Sequence, residues 1–89
     1  MIEQELTVIN KLGLHARAAA KMVSVASRYR CTIQVHHKNA LIDAKNIMGL
    51  LMLGAAQGTT LRVRVDGDDE CPAMDELSDL FARRFDEQE

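Results

Sequence analysis

Eighty-nine residues are too few to build two self-supporting cores, so one domain over residues 1–89 is expected. A hydrophobic share of 47%, mostly aliphatic, argues against a disordered tail, and eleven Lys and Arg against thirteen Asp and Glu give a net charge of -2, the wrong sign for a nucleic-acid partner. The longest apolar run, Ile47 to Ala56, is about half the roughly 20 residues of a membrane span, and the acidic N-terminus does not read as a signal peptide, so a cytoplasmic chain without membrane insertion is expected.

Leu6 and Val8 alternate with Glu5 and Thr7, which predicts a first strand ending at Asn10-Lys11-Leu12-Gly13. From Ala16 to about Arg28, Ala19, Met22, Val23 and Ala26 recur at helical spacing and predict an amphipathic helix. Ile33 and Val35 alternate with Thr32 and Gln34, and His37-Lys38-Asn39 turns the chain toward Leu41 and Ile42, a hairpin of two short strands. Asn46 is a favoured helix N-cap, Ile47 to Leu53 reads as a short apolar helix, and Gly54 suits its end. Thr60 to Val65 alternates most cleanly, with Leu61, Val63 and Val65 on one face and Arg62 and Arg64 on the other. Asp68, Asp69 and Glu70 suit a helix N-terminus, Pro72 falls in its first turn, and Met74, Leu77, Leu80 and Phe81 form a stripe. With Arg83 and Arg84 complementing its negative end, that helix is expected to run to about Phe85. The order βαββαβα, with strands apolar on one face only, predicts a two-layer α+β sandwich with helices on one side of the sheet.

The segment Gly13-Leu14-His15-Ala16-Arg17-Ala18-Ala19-Ala20 puts an imidazole at the mouth of the first helix, where the leading amides lack intrahelical partners. An anion there would meet the amides of Ala16 and Arg17, the positive end of the dipole and the Arg17 guanidinium. The same field disfavours an imidazolium, so a neutral ring nitrogen able to attack phosphorus is expected. The plain alternative is that His15 only caps the helix. Elsewhere, His36 and His37 at a strand end read as solvated turn residues that with Cys31 lack zinc spacing, so no metal is expected. Cys31 and Cys71 read as two reduced thiols, and Arg62 and Arg64 as a solvated sheet face.

Gly-Leu-His-Ala-Arg-Ala-Ala resembles the active-site signature of the HPr family, the histidine phosphocarriers of the phosphotransferase system. The likeness continues through Lys45-Asn46-Ile47-Met48-Gly49-Leu50-Leu51-Met52-Leu53 and Gln57-Gly58-Thr59 and covers nearly the whole chain. It implies an open-faced β-sandwich with an antiparallel sheet ordered 1-4-2-3. It also implies a relay in which Enzyme I, charged by phosphoenolpyruvate, phosphorylates His15 at Nδ1 and His15 passes the group to an Enzyme IIA domain. By resemblance Arg17 neutralises the phosphate, and no metal or small cofactor is needed. The implied docking patch comprises Ala16, Arg17, Ala20, Ser24 and Ser27, joined by the adaptable apolar residues Ile47, Met48, Leu51 and Met52, with Leu50 and Leu53 assigned to the core. A monomer is expected, a phosphohistidine carrier and not a stand-alone enzyme.

Three features depart from the family pattern. Asn46 stands where many relatives carry a regulatory serine, and an amide cannot accept phosphate, so kinase control there is not expected. Ser24, Ser27 and Gly49 stand where enteric relatives place docking-face lysines, which implies a weaker electrostatic fit to their partners, and the chain runs past Phe85 into Asp86-Glu87-Gln88-Glu89, so no role near the site is assigned to the terminal carboxylate. The rival readings are a nitrogen-branch regulatory carrier of the same family, a non-catalytic anion-sensing α+β module and, last, an RNA-binding domain.

Overall fold

Alternation of apolar and polar side chains puts four strands into one antiparallel sheet. The computed structural model describes residues 1–89, in the order β1 (Ile2–Thr7), α1 (Ala16–Ala26), β2 (Thr32–His37), β3 (Ala40–Asp43), α2 (Ile47–Met52), β4 (Thr60–Asp66) and α3 (Glu70–Ala82), closed by a short turn at Arg84–Asp86. The strand order is β1-β4-β2-β3, and the three helices cover one face, an open-faced α+β sandwich as expected. No helix is long and apolar enough to cross a membrane.

β4 is flanked on both sides, and its inward residues decide the core. Val63 lies opposite Val35, Val65 opposite Ile33 and Ile2, and Leu61 opposite Leu6. Against them α1 buries Ala18, Ala19, Met22, Val25 and Ala26, α2 buries Leu50, and α3 buries Ala73, Met74, Leu77, Leu80 and Phe81. Each large aliphatic side chain buried in this way contributes roughly 1.5–3 kcal/mol, so the sheet holds the helices chiefly through its one apolar face. On the other face Glu3 bridges Arg62 at 3.4 Å and Arg64 at 3.3 Å. Such exposed pairs are worth about 0–1 kcal/mol each, so this face is a solvated surface, as the alternation of β4 suggested.

The helix boundaries differ in three places. α1 stops at Ala26, because the following amides reach back only three residues, Arg28 to the Val25 carbonyl at 3.1 Å and Tyr29 to the Ala26 carbonyl at 3.2 Å, and Val25, not Val23, points fully inward. α2 begins where expected, with Asn46 accepting from the Gly49 amide at 3.2 Å, and ends at Met52. α3 ends at Ala82, not near Phe85, and Arg84, Phe85 and Asp86 all take left-handed conformations with φ of 59°, 54° and 64°. The reason is burial of Phe85, which turns back to lie fully enclosed with its ring 4.8 Å from that of Phe81.

Asp69 also does more than precede a helix. Its carboxylate accepts from the amides of Arg30 at 2.8 Å and Cys31 at 2.9 Å, joining the start of α3 to the start of β2. Those bonds, the Arg30 amide foremost, hold its carboxyl below the usual aspartate range. Burial pushes the Cys31 thiol up, so Cys31 is an inert core residue, and it forms no disulfide with exposed Cys71.

Two outcomes follow. A carboxylate with a lowered folded pKa stabilises above its unfolded value, about 3.9, and that stabilisation disappears as pH falls through the folded value. Asp69→Asn is therefore expected to flatten the acid limb of a stability-against-pH curve, measured by urea unfolding. Phe85→Ala is expected to cost about 3–5 kcal/mol, read as a lower urea midpoint at unchanged slope.

Candidate functional site

The loop between β1 and α1 is shaped by one buried amide and one glycine. Asn10, with no exposed surface, donates from Nδ2 to the Gly13 carbonyl at 2.7 Å, and the Gly13 amide returns a bond to the Asn10 carbonyl at 3.1 Å. Gly13 has φ +72°, and a Cβ there would stand 2.6 Å from the Ala55 carbonyl oxygen, so only glycine fits both the conformation and the space. The next amide, of buried Leu14, donates to that same oxygen at 2.8 Å, which fixes where the following residue emerges.

That residue is His15, the N-cap of α1, with extended backbone at φ -81° and ψ -176°. Its Nδ1 accepts from the Arg17 amide at 3.3 Å, while 28% of the side chain stays exposed. The ring is thus neither buried nor turned from the helix mouth. One expectation changes: the Arg17 amide is not a free donor in the bare protein but is held by the ring nitrogen. The Arg17 side chain is exposed and takes part in none of the molecule's ion pairs, so its charge is available to an anion.

The residue that sequence reasoning missed is Glu87. Its Oε2 contacts His15 Nε2, and its Oε1 accepts from Asn10 Nδ2 at 3.0 Å. Burial pushes this carboxyl up, but hydrogen bonds from Asn10 and His15, joined by the nearby Arg17 guanidinium, outweigh it and leave the group below the usual range. The tail that carries it is tied down at several points. Buried Phe85 anchors it, Lys21 Nζ donates to the Phe85 carbonyl at 2.9 Å, and the Lys11 amide donates to the Glu89 carbonyl at 2.5 Å. Lys11, Arg17 and Lys21 line, with this acidic tail, an open cleft of about 540 Å³. No periodicity links positions 72 residues apart; the only sequence signal was an aromatic residue in an otherwise polar terminus.

Around the ring, Ala16, Arg17, Ala20, Ser24 and Ser27 lie on the exposed side of α1. α2 packs beside α1 and exposes Ile47 by 36%, Met48 by 64% and Met52 by 81%, with Leu51 half-buried. Leu50 is fully buried and Leu53 half-buried, consistent with a core role. Lys45, which belongs to the same motif, is structural: its Nζ donates to the carbonyls of Tyr29 at 2.8 Å and Cys31 at 3.0 Å. His36 sits on the solvent face of the sheet while Cys31 is buried in the core, so they do not converge.

A partly exposed imidazole with a nitrogen lone pair at a helix N-terminus, beside an unpaired guanidinium, suits nucleophilic attack on a phosphoryl centre. Comparison with known proteins agrees with that chemistry. The family model described as "PTS HPr component phosphorylation site" matches residues 2–83. The chain is 53% identical over 87 residues to the phosphocarrier protein HPr of Xylella fastidiosa, covering 98% of each, and 49% identical over 86 residues to that of Pseudomonas aeruginosa, covering 96% of each. Among solved structures, HPr-C-His from Thermoanaerobacter tengcongensis superposes with a TM-score of 0.95 at 40% identity and 100% coverage of both chains. With its signature, its fold and full-length likeness in agreement, this chain belongs to the HPr family, the phosphocarriers of the phosphotransferase system.

Proposed function

We propose that the chain carries a phosphoryl group on Nδ1 of His15, taking it from phospho-Enzyme I and passing it to an Enzyme IIA domain in sugar uptake or its regulation. The observation that carries this reading is Nδ1 held at the helix mouth by the Arg17 amide on a partly exposed ring. In the transfer, the Nδ1 lone pair forms a P–N bond as the P–N bond to the donor histidine breaks. The Arg17 amide, released from Nδ1, then donates to a phosphoryl oxygen, and the Arg17 guanidinium neutralises the group. A loose transition state needs little more than such positioning and charge. No metal or cofactor takes part.

Residues 1–89 act as one HPr-like domain in the cytoplasm. A monomer is the working unit of this reading. Ala16, Arg17, Ala20, Ser24, Ser27, Ile47, Met48, Leu51 and Met52 form the surface that docks donor and acceptor in turn, with flexible methionines repacking against each. Asn46 serves as the cap of α2 in place of a phosphorylatable serine.

Incubation with Enzyme I and labelled phosphoenolpyruvate is expected to give an acid-labile, alkali-stable adduct that is absent in His15→Ala. Failure of the wild type to take up label from several forms of Enzyme I would favour the anion-sensing reading instead. Arg17→Ala is expected to slow uptake roughly 10–100-fold, as loss of one charged phosphate contact does. Met48→Asp is expected to raise the KM for Enzyme I about tenfold or more with the melting temperature unchanged, since Met48 is exposed.

A further inference from the structure

We propose that Glu87 is a positioning residue for phosphoryl transfer, holding His15 in the tautomer that keeps Nδ1 unprotonated and remaining as counter-charge once the ring is phosphorylated. This inference rests on the reading of His15 as the phosphoryl carrier.

The two ring contacts carry the argument. The Arg17 amide can only donate, so Nδ1, its partner at 3.3 Å, must accept. An ionised carboxylate can only accept, so Nε2 must bear the hydrogen that points at Glu87. Both bonds are satisfied in one tautomer, Nε2–H, and in the opposite tautomer both are lost. The carboxylate is itself oriented, since its second oxygen takes a bond from Asn10 Nδ2, which is committed in turn to the Gly13 carbonyl. Its lowered pKa keeps it ionised, hence acceptor-only, at neutral pH.

The route of Glu87 to the ring points the same way. Three consecutive left-handed residues, the burial of Phe85 and the grip of Lys21 on the Phe85 carbonyl bend the tail back across the chain to deliver one carboxylate. The tail lies outside residues 2–83, which the family model matches.

During transfer no proton leaves His15. The Nδ1 pair bonds to phosphorus, the electron pair of the broken P–N bond returns to the donor phosphohistidine, and Nε2 keeps its hydrogen. The phosphorylated ring is therefore cationic, with Glu87 beside it as a fixed counter-charge. Passage of the phosphoryl group to the acceptor reverses these steps and restores the neutral ring.

The test is the 15N spectrum of the His15 ring in unphosphorylated wild type, Glu87→Ala and Glu87→Gln, together with the kinetics of label uptake from phospho-Enzyme I. Wild type is expected in the Nε2–H form. Glu87→Gln is expected to keep it, because the amide oxygen still accepts, whereas Glu87→Ala becomes a mixture. Uptake is expected to fall about tenfold in kcat for Glu87→Ala with KM unchanged, and less for Glu87→Gln. An even mixture of tautomers in wild type, or a tautomer unchanged in Glu87→Ala, overturns the proposal while leaving the relay standing if wild type is labelled. A wild type in the Nε2–H form that takes no label overturns the relay, and the proposal with it.

Discussion

A helix start needs something to accept its leading amides, and the usual choice is an oxygen of Ser, Thr, Asp or Asn. In α1 that place is taken by a ring nitrogen, Nδ1 of His15, 3.3 Å from the Arg17 amide. Contact at this length is weaker than an ordinary cap, and the weakness suits the site. While the ring is bare the amide supports the helix; in the proposed relay, phosphorus at Nδ1 leaves the same amide free to turn to an oxygen. A carboxylate cap would hold the helix more firmly but would fill the anion site with its own charge. The loop before α1 serves this one placement: the positive φ of Gly13, the Ala55 carbonyl received by Leu14, and buried Asn10 leave His15 little freedom.

The C-terminal tail shows a balance of comparable terms. Left-handed backbone costs non-glycine residues roughly 1–2 kcal/mol each, and three occur in succession. Full burial of Phe85 returns about 1.5–3 kcal/mol, and hydrogen bonds from Lys21 and Asn10, at roughly 0.5–1.5 kcal/mol each or more where a charge takes part, offset the rest. Continued helix through Phe85 would have avoided the strain but carried Glu87 away from the ring. Burial of one aromatic ring thus couples the core to the candidate site.

The two helical surfaces divide their labour by residue size. On α1, Ala18 and Ala19 face inward and let the helix approach the sheet, while Ala16 and Ala20 on the exposed side keep the ground around His15 low. In the proposed relay that low ground lets a partner's phosphohistidine come close. On α2, Leu50 secures the helix to the core, and the neighbouring Met48 and Met52 stay exposed. A short helix with apolar residues all round can serve core and surface together only because its two sides have different partners.

Much of this protein was legible in its residues. The period-two strands around Leu61, Val63 and Val65, the cap at Asn46 and the imidazole at the first helix mouth are local patterns, and local patterns need only neighbours within a turn or a strand to be read. The order of strands came from family likeness and not from periodicity, because pairing joins distant segments. What only the tertiary structure decided is where α3 stops, which hydrogen bond the Arg17 amide makes, and that Glu87 meets His15. Each depends on contacts between residues far apart in the chain, chiefly the return of Phe85 to the core, and no spacing rule reaches across 72 positions.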